Sequence, residues 1–111
     1  HLAEGSRTNI FWGKGRVLWT PALTTGCLPG IVRATVLALA RRNGISVREG
    51  AWGLEALMEA DEAFLTNSLA GLIPLLKIDG RDIGRGRPGT LTTGLRSAYR
   101  RMAEQEKGVP F

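Results

Sequence analysis

Asn9-Ile10-Phe11-Trp12-Gly13-Lys14-Gly15-Arg16-Val17-Leu18-Trp19-Thr20-Pro21 is dense in β-branched and aromatic residues and is interrupted once, by two glycines around a lysine. Such side chains suit a pleated surface, and Gly13-Lys14-Gly15 supplies a turn between strands Asn9–Trp12 and Arg16–Thr20. Pro21 stops the second strand because it cannot donate to a ladder. After a loop punctuated by Gly26-Cys27-Leu28-Pro29-Gly30, the segment Ile31 to Arg42 places Val32, Val36, Leu39 and Ala40 on one helical face. Arg41 and Arg42 complement the negative end of that helix, and Asn43-Gly44 offers its left-handed stop.

Working outward, Ile45 to Glu49 alternates as a short strand does, and Leu54 to Met58 forms a short helix. Ala63 to Thr66 reads as a strand that breaks at Asn67-Ser68. Gly71 to Ile78 reads as another, in which Pro74 implies an edge or a bulge. A last helix is expected over Leu91 to Met102, with Leu91, Leu95, Ala98 and Met102 on one stripe, before a loose tail from Glu104 to Phe111. The alternation of strands and helices gives the expectation of one α/β (mixed α+β) domain spanning residues 1–111.

With 111 residues, 43% hydrophobic and 23% charged, the composition is that of an ordinary globular domain. Area scaling lets a chain of this size bury roughly 65% of its extended surface. The single cysteine, Cys27, excludes an intrachain disulfide framework and a multi-cysteine zinc site, and points to a reducing, cytoplasmic setting. The longest apolar-rich run, Ile31 to Ala40, is interrupted by Arg33 and closed by Arg41-Arg42, too short to span a bilayer. His1 to Gly5 lacks the basic start and apolar core of a signal peptide, and without an opening Met the chain reads as the C-terminal piece of a longer one.

The net charge of +5 comes mostly from arginine, twelve of the fifteen basic residues. They cluster only at Arg81 to Arg87 and Arg96 to Arg101, and three of the seven aromatics sit in the hairpin. A nucleic-acid face needs basic side chains tracking phosphates, usually with aromatics interleaved, so the charge reads as a solvated surface; neither nucleic acid nor membrane is expected as a partner.

Gly84-Arg85-Gly86-Arg87-Pro88-Gly89 matches the spacing G-x-G-x-x-G, which binds dinucleotides only between a strand and a helix with an acidic residue on the following strand. Glu104 and Glu106 stand at the right distance but follow a helix, so a surface turn is expected. His1 is the only histidine and Cys27 has no histidine to activate it. Asp61-Glu62 reads as a solvated turn between helix and strand rather than an acid/base pair.

Two loops carry more chemistry. Leu28-Pro29-Gly30-Ile31-Val32-Arg33 opens a helix, where the free N–H groups of Ile31 and Val32 and the positive dipole end suit an anion. Asn67-Ser68-Leu69 ends a strand on small polar side chains, and Gly71 then lets a phosphate oxygen or a carboxylate approach closely. Either loop alone is a weak signal, because most helix starts bind water and most Asn-Ser pairs are ordinary turns.

Taken in order, Glu4-Gly5-Ser6-Arg7-Thr8-Asn9-Ile10-Phe11, Leu18-Trp19-Thr20-Pro21, Gly26-Cys27-Leu28-Pro29-Gly30-Ile31-Val32-Arg33, Ala60-Asp61-Glu62-Ala63-Phe64-Leu65-Thr66-Asn67-Ser68 and Pro74 resemble the class IV (fold type IV) pyridoxal-phosphate enzymes. The resemblance runs from Glu4 to about Leu95. It implies the large C-terminal domain of such an enzyme, a mixed sheet or pseudo-barrel flanked by helices, with pyridoxal 5'-phosphate as cofactor, a small-molecule substrate and a homodimeric partner. It assigns Glu4 to the cofactor's pyridine nitrogen, which a carboxylate keeps protonated. It assigns Leu28 to a face of the ring, the N–H groups of Ile31 and Val32 to the phosphate, and Ser68 with Asn67 and Leu69 to the phosphate or the substrate carboxylate. Where the family often carries Thr, Val32 adds no hydroxyl.

The family's Schiff-base lysine lies upstream of the Glu4 motif, and none of Lys14, Lys77 and Lys107 matches it, so this chain alone is expected to be inactive. The run Asn67-Ser68-Leu69-Ala70-Gly71 before Pro74 is most similar to aminodeoxychorismate lyases, which implies elimination of pyruvate from 4-amino-4-deoxychorismate to give 4-aminobenzoate in folate biosynthesis. A branched-chain or D-amino-acid aminotransferase is the alternative within the family. A binding module without catalysis is the alternative outside it, against which Glu4 argues.

Overall fold

The computed structural model describes residues 9–21, 31–67 and 70–107. Strands β1 (Asn9–Lys14) and β2 (Val17–Pro21) form the expected hairpin, but its turn is Gly15-Arg16, with φ of 60° and 64°. Two left-handed central residues match the right-handed twist of the strands they join. Gly13 therefore belongs to β1, paired with Leu18 and Glu62, rather than to the turn. A Cβ on Gly13 would lie 2.8 Å from Leu91 Cδ1, so this glycine serves the close approach of another segment.

Helix α1 spans Ile31–Arg42 and α2 spans Leu54–Met58, both as the periodicity predicts. With β3 (Ser46–Gly50), β4 (Glu62–Asn67) and β5 (Gly71–Pro74), the hairpin builds a five-stranded sheet in the order β3-β2-β1-β4-β5. The β2–β3 pair is parallel, joined through α1, and the other pairs are antiparallel. Pro74 closes the edge strand β5, where its missing N–H is tolerated. The expected strand over Gly71 to Ile78 divides there. Its second half, β6 (Lys77–Ile78), turns through Asp79-Gly80, at φ of 49° and 77°, to pair with β7 (Arg81–Asp82).

Central strand β1 is covered on both faces. Phe11 stacks on its cross-strand neighbour Phe64, centroids 5.1 Å apart and planes 9° apart, and joins Leu18 and Leu72 beneath α1. Val32, Val36, Leu39 and Ala40 are all buried there, as the helical stripe implies. On the opposite face Ile10, Trp12 and Ala63 pack with Leu57, Ala60 and Ile83, and Trp52 meets Trp12 and Trp19 edge-on at 5.8 and 5.1 Å. Edge-to-face rings of this kind add about 0.5–1.5 kcal/mol beyond their buried area.

Helix α3 spans Thr90–Lys107, so Glu104 lies within it and not in a loose tail; Gly108 to Phe111 fall outside the described residues. Leu95 is buried against α1's face of the sheet, with Ala98 and Tyr99 packed beside it. The start of α3 also corrects the expectation for Asp61-Glu62. Glu62 is buried, not solvated: its Oε1 accepts from the Thr92 N–H at 2.6 Å and its Oε2 from the Leu91 N–H at 3.2 Å. A carboxylate from β4 thus fills the positive end of α3. Gly89 has no room for a Cβ beside that carboxylate.

Glu62→Ala is expected to lower the unfolding free energy by about 2–4 kcal/mol, the loss of two charge-assisted bonds at a helix end. Glu59→Ala breaks only the exposed 3.5 Å pair with Lys14 and serves as the control, at about 1 kcal/mol or less. Denaturant titration compares the two, and equal small losses would refute the cap.

Candidate functional site at one end of the sheet

Strand direction decides what meets here. Asn9 opens β1 opposite Thr66, Pro21 ends β2 opposite Gly50, and Asn67 ends β4 opposite Gly71, so these residues share one end of the sheet. Helix α1 starts at that same end and runs back over the sheet, since β3 restarts with Ser46 opposite Val17. The described ends of the two loops that the sequence marks for an anion, Ile31 and Asn67, therefore lie at the same end of the sheet.

Of the predicted residues, Ile31 is the first of α1 and Val32 is buried in the core at 6% exposure, so Val32 offers a ligand its backbone and not its side chain. Asn67 turns its side chain back on its own loop, with Oδ1 accepting from the Ala70 N–H at 2.7 Å. That bond closes an Asx-type turn, and Gly71, at φ 74°, completes it. Glu4, Leu28, Ser68 and Leu69 lie outside the described residues, as do His1 and Cys27.

The residues that sequence reasoning missed stand around these. Arg33, in the first turn of α1, is only 4% exposed, and its Nη2 donates to the Pro21 carbonyl at 2.9 Å and to Glu49 Oε1 at 2.8 Å. Its signal was present in the sequence as the lone charge inside an apolar run. Asn9 Oδ1 and Thr66 Oγ1 are buried at the same end with no hydrogen-bond partner among the described residues. Thr20 is buried too, but its hydroxyl donates to the Ile10 carbonyl at 2.7 Å.

The two long helices differ in their electrostatics. The positive end of α3 is filled by Glu62, whereas the first turn of α1 carries no acidic residue and holds a buried guanidinium. The first turn of α1 contains no acidic residue and its one cation, Arg33, is paired with Glu49, whereas the Gly84–Gly89 loop leads into a helix start already taken by a carboxylate. Lys14 pairs with Glu59 at the opposite end of the hairpin, and Lys77 pairs with Asp82 at 3.6 Å beyond Pro74. Among the described residues no cluster of His, Cys, Asp and Glu is arranged to hold a metal, and no helix is long and apolar enough to cross a membrane.

The sequence profile of the family described as amino-transferase class IV matches residues 1–78. The chain belongs to this family. It is 40% identical over 110 residues to an aminodeoxychorismate lyase of Bacillus subtilis, covering 96% of this chain and 37% of the lyase. It is also 40% identical over 110 residues to a D-alanine aminotransferase of Bacillus licheniformis, covering 97% of this chain and 39% of that one. A branched-chain amino acid aminotransferase from Thermobaculum terrenum, solved in its pyridoxal phosphate holo-form, superposes with a TM-score of 0.82 at 36% identity, over 86% of this chain and 31% of that one. The mixed sheet with flanking helices is thus the class IV fold, and the chain spans 31–39% of the length of these relatives.

Asn67→Ala removes the acceptor of the Ala70 N–H. The expected loss is about 0.5–1.5 kcal/mol in unfolding free energy, with faster hydrogen exchange at the Ala70 amide. An unchanged exchange rate would show that the side chain does not hold this turn.

Proposed function

We propose that this chain is the cofactor-holding part of a pyridoxal phosphate-dependent 4-amino-4-deoxychorismate lyase, whose Schiff-base lysine comes from outside it. What carries the reading is that α1 starts at the end of the sheet where β4 ends at Asn67 and β5 begins at Gly71. A helix start with no carboxylate in its first turn suits a phosphate monoester. The similarity to the Bacillus subtilis lyase and the run Asn67-Ser68-Leu69-Ala70-Gly71 favour the lyase among the family's activities.

In this reading the N–H groups of Ile31 and Val32 hold the phosphate and Ser68 adds a hydroxyl donor. Glu4 holds a proton on the pyridine nitrogen, Leu28 covers one ring face, and Ser68 with Leu69 orients the substrate carboxylate. Pyridoxal phosphate, when bound, supplies an electron sink for the pair released as a substrate C–H bond breaks. Holding that nitrogen protonated is what Glu4 contributes, because a cationic ring accepts the pair more readily than a neutral one. The equal identity to a D-alanine aminotransferase supports a second reading, transfer of the amino group to a 2-oxo acid by the same residues.

The test uses the full-length protein loaded with pyridoxal phosphate and given 4-amino-4-deoxychorismate. Equal release of 4-aminobenzoate and pyruvate is the expected result; amino transfer from an amino acid to a 2-oxo acid in its place would move the function to the second reading. Ser68→Ala is expected to weaken cofactor retention by about 1–2 kcal/mol, one hydrogen bond to a charged group. Glu4→Gln is expected to cripple turnover while the cofactor stays bound, and near-normal turnover would remove Glu4 from its role.

A further inference from the structure

Arg33 is placed against two physical preferences. A guanidinium is costly to bury, and a cation in the first turn of a helix opposes the dipole. Its side chain is nevertheless only 5% exposed, while its carboxylate partner Glu49 is 37% exposed and is shared with Arg41 at 3.7 Å. Its Nε is buried with no hydrogen-bond partner among the described residues. An apolar side chain would serve packing at this position at least as well, so stability alone does not account for an arginine.

The tie itself suggests the role. Nη2 joins the carbonyl of Pro21, the last residue of β2, to Glu49 near the end of β3, while the backbone of Arg33 belongs to the first turn of α1. Pro21 and Ile31 bracket the segment that carries the chain from sheet to helix. Arg33 thus ties the first turn of α1 to the ends of β2 and β3, with its charge paired to Glu49.

We propose that Arg33 is a positioning residue for phosphate: it sets where the first turn of α1 presents its N–H groups, so that this end of the sheet prefers a phosphorylated ligand over its dephosphorylated counterpart. This rests on the reading of α1 as the phosphate site given above. Arg33 acts from behind the turn and touches no ligand.

The test measures, on the full-length protein, dissociation constants for pyridoxamine 5'-phosphate and for pyridoxamine, which differ by the phosphate alone and form no bond to a lysine. Arg33→Met is expected to weaken the phosphorylated ligand by about tenfold and the other by less than about twofold, the scale of one charge-assisted contact. Arg33→Lys should recover only part of the difference, since an ammonium keeps the charge and its donors but lacks the rigid, planar guanidinium that holds Nη2 between the two acceptors. Should Arg33→Met fail to fold, Glu49→Ala loosens the same tie and is read by the same ratio. Equal loss for both ligands, or no loss, overturns the inference. A wild-type protein that binds neither ligand overturns the cofactor reading itself.

Discussion

Strand β1 is the constraint on which the rest depends. Period-two alternation sends Phe11 and Trp12, adjacent in sequence, to opposite faces of the sheet, and each seeds a separate core. Phe11 stacks on Phe64 beneath α1, and Trp12 meets Trp52 on the side of α2. A slip of one residue against β4 would exchange those faces, so the same side chains that build both cores also pin the register. The register in turn puts Asn9 beside Thr66 and brings Asn67 to the end of the sheet where α1 begins.

The two long helices divide the chemistry. Each opens with unsatisfied N–H groups, and the chain answers them differently. For α3 the answer is internal: Glu62 reaches across from β4, with Gly13 and Gly89 leaving room for the approach. For α1 no acidic residue stands in the first turn, and Arg33 adds charge of the wrong sign for an isolated helix. A helix whose end is stabilised from within has no use for an external anion. The proposed phosphate position lies at the other helix start, whose first turn carries no carboxylate.

Much of this was legible in the sequence. The bounds of α1 and α2 follow from helical spacing, and the edge position of Pro74 from its missing donor. The hairpin was legible too, but the turn was set one pair too early, because Gly13 looks like a turn residue until the approach of Leu91 gives it another purpose. Glu62 read as solvated because an adjacent acid pair usually is; its partner, the start of α3, lies about thirty residues on, and no local pattern announces it. Arg33 showed as an interruption of an apolar run, yet only the meeting of Pro21 with Glu49 shows what the interruption does.

By itself, then, the sequence determined α1, α2, the main strands, the family resemblance and the two loops that suit an anion, since all of these rest on local periodicity, backbone chemistry and ordered motifs. The tertiary structure decided the extent of α3, the β6–β7 hairpin, the capping of α3 by Glu62 and which charges are buried. The last two depend on contacts between residues far apart in the chain, where strand order and register, not neighbouring residues, set the distances.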